Sequence, residues 1–397
     1  MNGGPGCSSV GGGLMTEQGP FRPDANGKLQ PNPYGWHTAS NMIFLESPAG
    51  VGFSFSENST DYTVGDKRTI QDVHSFLTQF FTDKFPELAG NPFWVSGESY
   101  AGHYTPLTTQ AIADANARAA LTGAPTINLK GMLVGNAWTD AAFDNRGATE
   151  YWFSHRLISY DTYNGLLTCN FSNVGPLALM ADSRINFPVN PHPEDDACDA
   201  AQKKAFVRRE WRVEMGNINI YDVYADVCVT SGARQLTPDS QNAAGCAASY
   251  EPCIDDYTQT YLRREDVQRA IHANLSLPTP WSSCSSVVDY SRESLLTSML
   301  PVYRDLVTRN LSLLVFSGDI DAIVPVLGTV NWLHALGQPI TTALRPWYVD
   351  DQVGGRIEEY SGGLSFTTVR SGGHMVPATA ASRGLHMFKS WINGTPL

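Results

Sequence analysis

A serine, an aspartate and a histidine in this 397-residue sequence sit where they could share one nucleophilic reaction. Ser99 lies in Gly97-Glu98-Ser99-Tyr100-Ala101-Gly102. The short, mostly apolar run before it, Pro92-Phe93-Trp94-Val95-Ser96, reads as a buried strand, and the segment after it reads as a helix. A tight strand-to-helix turn presents a serine hydroxyl outward, and small flanking residues leave room near the backbone. Asp321 follows the apolar run Leu311–Gly318, and His374 follows a strand over Gly363–Arg370, directly after Gly372-Gly373. In such a set the hydroxyl attacks a carbonyl. The imidazole takes its proton and returns it to the leaving group, and the carboxylate holds the imidazole. Asp319 competes with Asp321 for the acid role; it abuts the strand and could instead cap the following turn.

These side chains need a scaffold that gathers strand ends. Asn41–Glu46 reads as a strand and Ser47-Pro48-Ala49-Gly50-Val51-Gly52 as the turn after it. Residues 69–83 carry Ile70, Val73, Phe76, Leu77 and Phe80 at helical spacing. Leu129–Asn136 is another strand, Trp347–Asp350 and Gly355–Tyr360 resemble a strand pair, and a final helix runs over about 380–392. Strands alternating with helices imply a parallel sheet. From Trp138 to about Arg309 the alternation stops, so this stretch reads as an insertion. The expected fold class is α/β: a central mixed, mostly parallel sheet flanked by helices, with core residues 1–137 and 310–397 and a large, mainly helical cap over 138–309. Ligands bind beyond the carboxyl ends of such strands. The order Ser99, Asp321, His374 is that of an α/β-hydrolase. The glycine-dense start, Asn2-Gly3-Gly4-Pro5-Gly6, matches the early Gly-Gly loop that supplies an oxyanion donor in that fold, with Asn2 near the histidine position of the H-G-G-G motif.

Bulk properties narrow the function. A formal charge of −12, from 27 basic and 39 acidic residues, argues against nucleic-acid binding. No apolar run approaches the roughly 18 residues of a membrane span. The seven cysteines form no C-x-x-C pair and there is no H-E-x-x-H, so a metal site has little support. Sequons at Asn58, Asn170, Asn274, Asn310 and Asn393, together with the cysteines, favour the secretory route. The opening Met1-Asn2-Gly3-Gly4 carries no charged or apolar signal region, so the expectation is that the N-terminus is incomplete.

Six segments in combination resemble the serine carboxypeptidases along the whole chain: Asn2–Ser9, Glu46–Ser54, Gly97–Gly102, Gly135–Asp140, Ser317–Asp321 and Gly372–Pro377. The resemblance implies that Asp321, the second aspartate of Ser-Gly-Asp-x-Asp, is the acid, and that Ala101 is ordinary in the elbow. It implies an oxyanion hole from the backbone N–H groups of Gly4 and Tyr100. It also implies recognition of a substrate α-carboxylate by Asn2, Gly3, Glu17 and Glu98, one acid staying protonated at low pH beside the other. Met375 matches a position lining the leaving-residue pocket, which implies a preference for apolar C-terminal residues. The implied disulfides are Cys7–Cys284, Cys169–Cys198 and Cys228–Cys253, with Cys246 unpaired and Cys228–Cys246 as the alternative. The implied substrate is a peptide or protein C-terminus, with no cofactor, in a secreted or vacuolar setting, as monomer or homodimer. The family's segment preceding the Asn-Gly-Gly loop, with its Trp and edge strands, is expected to be missing. The competing readings are an acyltransferase or esterase on the same fold, and a catalytically impaired fragment acting as a binding protein.

Overall fold

The computed structural model describes residues 1–177, 196–206, 214–229, 250–277 and 279–397. Its main sheet is built from six of ten strands: β1 (Phe21–Pro23), β2 (Leu29–Pro31), β3 (Thr63–Val64), β4 (Phe93–Glu98), β5 (Leu129–Gly135), β6 (Asp289–Tyr290), β7 (Ser312–Gly318), β8 (Ile340–Val349), β9 (Gln352–Tyr360) and β10 (Leu364–Val369). The order is β4-β5-β7-β10-β9-β8. The first four run parallel, and β9 and β8 complete the sheet antiparallel. This is the mixed, mostly parallel sheet of an α/β-hydrolase.

The central strands β5 and β7 are mostly apolar because both faces are covered. Their side chains alternate between two cores. Met132 and Val134 of β5 and Leu313 and Val315 of β7 face a cluster with Val73, Leu77, Ile112, Tyr303 and Trp332. Leu133, Leu314 and Phe316 face the other side, with Trp36, Trp347, Val369 and Phe388. Helices α1 (Asp66–Gln79) and α2 (Ala101–Thr122) cover the first face, and helix Ala381–Ile392 covers the second, where Phe388 stacks on Trp36 at 4.1 Å. Helix α3 (Ala141–Ser154) and the helices Tyr160–Leu166 and Asp196–Phe206 contribute to a third cluster. It includes Tyr151, Trp152, Leu166, Cys198 and Ile220, and closes on Ala322, Ile323 and Val324 just past Asp321.

Two sequence expectations need correction. Asn41–Glu46 joins no ladder. Among the described residues the outer edge of β4 is hydrogen-bonded by Met1, which accepts from Glu98 N at 3.2 Å and donates to Ser96 O at 2.7 Å. Residues 41–46 are exposed to half-buried, and Met42 and Leu45 pack on the cores without strand pairing. The last hairpin is longer than expected: β8 and β9 meet at a two-residue turn, Asp350-Asp351, both at positive φ (49° and 60°), which twists with the strands. Pro346 lies within β8, which is the edge strand, where a missing N–H is tolerated. Smaller differences lie at α1, which starts at Asp66 after Gly65, and at the Gly-rich start, which continues into a π-helix over Val10–Glu17.

Candidate active site

Ser99 ends β4 with φ 64°, a left-handed conformation costly for a residue with a Cβ and kept only where the surroundings fix it. Ser99 N donates to Gly135 O (3.0 Å), and Ser99 O accepts from Trp138 N (3.0 Å), so the β5 end pins both sides of the serine. The glycines around it are needed for close approach. A Cβ on Gly97 would lie 2.3 Å from Thr105 Oγ1, and one on Gly102 would lie 2.2 Å from Trp138 O. The Ala101 methyl, by contrast, packs against Tyr100, Tyr104 and Trp138. The position without room for a side chain is 102, not 101.

Asp321 leaves β7 fully buried and its carboxylate is saturated. It accepts from Ile323 N (2.8 Å), Val324 N (3.1 Å) and Asn136 Nδ2 (2.9 Å), and its Oδ2 lies 2.8 Å from His374 Nδ1. Asp319 instead accepts from Ser371 N at 2.7 Å, bracing the loop that carries His374. His374 N donates to Tyr221 O (2.6 Å), and the Tyr221 ring meets the imidazole edge-on at 5.4 Å. Gly373 is required there because a Cβ would sit 2.4 Å from Tyr221 O. Among the described residues no hydrogen bond joins His374 to Ser99 Oγ. Such contacts are often long before substrate binds.

The Asn2–Gly6 loop lies directly on the elbow: a Cβ on Gly3 would be 2.2 Å from Tyr100 N, and Gly4 holds φ 115°. The loop is tied down by Cys7 N to Gly3 O (3.0 Å), Asn2 N to Ser9 Oγ (3.1 Å) and the Cys7–Cys284 disulfide. Beside Ser99 three polar side chains converge. Asn2 Nδ2 donates to Glu17 Oε1 (2.8 Å), and Asn2 Oδ1 accepts from Gly13 N (3.0 Å). Glu98 and Glu17 are both buried. Burial first, then the Glu17 charge and a hydrogen bond with Glu17, hold the Glu98 carboxyl well above the usual carboxylate range. Met375 is half-buried at the start of the short helix Val376–Thr379.

Cys169 pairs with Cys198 and Cys228 with Cys253, while Cys246 lies outside the described residues. The five sequon asparagines are exposed, and among the described residues no helix is long and apolar enough to cross a membrane.

The family model described as serine carboxypeptidase matches residues 1–394. Serine carboxypeptidase 24 of Arabidopsis thaliana is 38% identical over all of this chain and 82% of its own length. This chain belongs to the serine carboxypeptidase family. It is a hydrolase of that family, 40% identical to serine carboxypeptidase-like 31 of Arabidopsis thaliana over all of this chain and 79% of that relative. The prohormone-processing carboxypeptidase Kex1ΔP of Saccharomyces cerevisiae shares its fold, with TM-score 0.77, 22% identity, and coverage of 99% of this chain and 82% of that one.

In this family member two contacts of the site had no reading from sequence. Asn136, at φ 41° and fully buried, donates to Asp321 and accepts from Gly318 N (3.0 Å). It links the ends of β5 and β7. The available signal was a lone amide closing a buried apolar strand, which also reads as an ordinary turn residue. Tyr221 lies in the stretch that reads as an insertion from sequence, and no local pattern marked it.

Proposed function

We propose that this serine carboxypeptidase family member releases single amino acids from peptide and protein C-termini through an acyl-enzyme. Ser99 Oγ attacks the last peptide carbonyl. His374 takes its proton and passes it to the departing amine, while Asp321 keeps Nδ1 protonated and the ring aligned. The N–H groups of Gly4 and Tyr100 receive the developing oxyanion. Water then enters by the same route and frees the shortened peptide.

The observation that carries the exopeptidase reading is the group beside the nucleophile in which half-buried Asn2 meets the buried carboxyls of Glu17 and Glu98. A carboxyl held protonated there donates to the substrate's α-carboxylate, with Asn2 and the Gly3 backbone as further donors. An ionised Glu98 would repel the same group, so activity favours acidic pH. Met375 gives the departing residue an apolar neighbour, hence a preference for apolar over basic C-termini. The disulfides and exposed sequons suit glycosylation at Asn58, Asn170, Asn274, Asn310 and Asn393, and a secreted or vacuolar setting. The core of residues 1–137 and 310–397 supplies the machinery, and 138–309 covers it.

N-blocked dipeptides ending in Leu, Phe, Lys and Arg, assayed at pH 5 and pH 7.5, test this. The expected result is a free amino acid, fastest for Leu and Phe at pH 5, and none from Ser99→Ala. Intact dipeptides alongside cleavage of an ester lacking a free carboxylate would overturn the exopeptidase reading in favour of an esterase. Faster release of Lys or Arg would overturn the assignment of Met375.

A further inference from the structure

Behind the elbow lies a buried polar cluster that the proposed chemistry does not touch. Asp66 opens α1, and its two carboxylate oxygens meet three partners. Tyr100 OH (3.0 Å) and Tyr290 OH (2.7 Å) both donate to Oδ1, and His103 Nδ1 lies 2.9 Å from Oδ2. Nδ1 faces a carboxylate, and among the described residues His103 Nε2 is buried without a partner, so the donor proton is assigned to Nδ1. Burial holds the Tyr100 phenol well above its ordinary range, so it remains a donor.

We propose that Asp66, with Tyr290 and His103, is the positioning group of the oxyanion hole: it fixes Tyr100 and thereby the aim of the Tyr100 N–H. This rests on the reading of that N–H as an oxyanion donor. Three features support it. First, Tyr100 is immobilised throughout. Its ring stacks on His103 (4.6 Å, 21°) and meets Tyr104 (5.3 Å) and Tyr290 (5.5 Å) edge-on, so the side chain cannot turn without carrying its backbone. Second, the neighbouring residue is Ser99 at φ 64°, so the Tyr100 peptide sits on a strained turn that needs outside support. Third, the other half of the hole hangs on the same segment. The Gly4 loop is joined to residues 283–285 by Cys7–Cys284, by Ser8 N to Ser283 O (2.8 Å) and by Ser285 N to Gly6 O (2.8 Å). A few residues on, Tyr290 pairs with Val64 in the β3–β6 ladder and reaches Asp66. Residues 283–290 thus connect both donors of the hole, and the Tyr290 hydroxyl closes the connection.

The test uses Tyr290→Phe and Asp66→Asn in the full chain. Tyr290 is half-buried and lines the wide groove of about 1740 Å³ between α1, α2 and residues 284–302, so loss of its hydroxyl leaves the core intact. Complete loss of one oxyanion donor costs roughly 100- to 1000-fold. Misaiming one is expected to lower kcat by roughly 10-fold in Tyr290→Phe and more in Asp66→Asn, with KM within two-fold. Affinity for a peptide aldehyde, whose hemiacetal oxygen occupies the hole, falls in step with kcat, while affinity for the blocked product does not change. A fall in melting temperature with kcat and aldehyde affinity unchanged in Tyr290→Phe would overturn the proposal. So would a KM effect without a kcat effect. If the wild type cleaves only esters, the carboxypeptidase reading fails on its own, and the same comparison of kcat with aldehyde affinity, made on the ester, still decides the role of Asp66.

Discussion

Asp144→Asn isolates a pH dependence of stability that comes from one buried carboxyl. Asp144 sits in the first turn of α3, about 1% exposed, where Oδ2 accepts from Thr139 N (2.7 Å) and Asp140 N (2.9 Å) and Oδ1 has no partner among the described residues. Burial outweighs the two backbone donors and pushes its pKa from 3.8 up to about 7. Between those values the unfolded chain has released the proton and the folded chain keeps it. The folded state then binds more protons, so stability falls as pH rises from about 4 to about 7. At 1.36 kcal/mol per pH unit the full loss is about 4 kcal/mol. Asparagine keeps an acceptor for Thr139 N and Asp140 N and does not titrate. The variant is therefore expected to match the wild type at pH 4 and to exceed it by up to about 4 kcal/mol at pH 8. Urea unfolding followed by tryptophan fluorescence at pH 4, 5.5, 7 and 8 gives the difference between the two curves. Glu46, also pushed up to about 7 mainly by burial, contributes a slope of the same sign to both proteins and cancels in that difference. Parallel wild-type and variant curves would refute the argument.

Four further outcomes are expected. Glu98→Gln removes the ionisation that opposes a substrate carboxylate, so the wild-type KM for a blocked dipeptide rises from pH 5 to pH 8 while the variant's stays level; a level wild-type KM contradicts this. Asp321→Asn disturbs the imidazole tautomer held at 2.8 Å and should lower kcat by roughly 1000-fold or more with little change in KM. A loss under ten-fold would exclude Asp321 from that role. Gly102→Ala drives a methyl to 2.2 Å from Trp138 O and should sharply reduce soluble yield and melting temperature. Gly90→Ala, with nothing within 4 Å, should leave both unchanged.

How far the sequence was legible follows from what is local and what is not. The strands β5 and β7 announce themselves because a parallel strand buried on both faces is written as consecutive apolar residues, here Met132–Val134 and Leu313–Phe316. Ser99 and His374 are legible because their glycines mark points where another backbone passes close. Choosing Asp321 over Asp319 needed the family resemblance, since the difference is one of partners: one faces an imidazole and three donors, the other Ser371 N. Asn41–Glu46 misled because its apolar run, Met42–Leu45, reports partial burial and not pairing, and pairing is a non-local property. His103 looked like any core residue of a helix. Its partner Asp66 lies 37 residues away, and only the packing of α1 on α2 brings them together.

The main sheet delivers its groups from four consecutive strands: Ser99 from β4, Asn136 from β5, Asp321 from β7 and His374 from β10. No outer or terminal strand contributes except at the serine, and each neighbouring pair is held by a parallel ladder. Amide exchange in these four strands should consequently proceed as one cooperative unit, slow and with a common opening free energy. Loosening of the helices around Tyr151 and Leu166 would leave that unit closed. The strand ends therefore keep their register until the sheet itself opens, whereas His374 and Asp321 also lean on Tyr221, Ile323 and Val324 of the neighbouring cluster, so activity lost at denaturant below that opening reports on this cluster and not on the ladder.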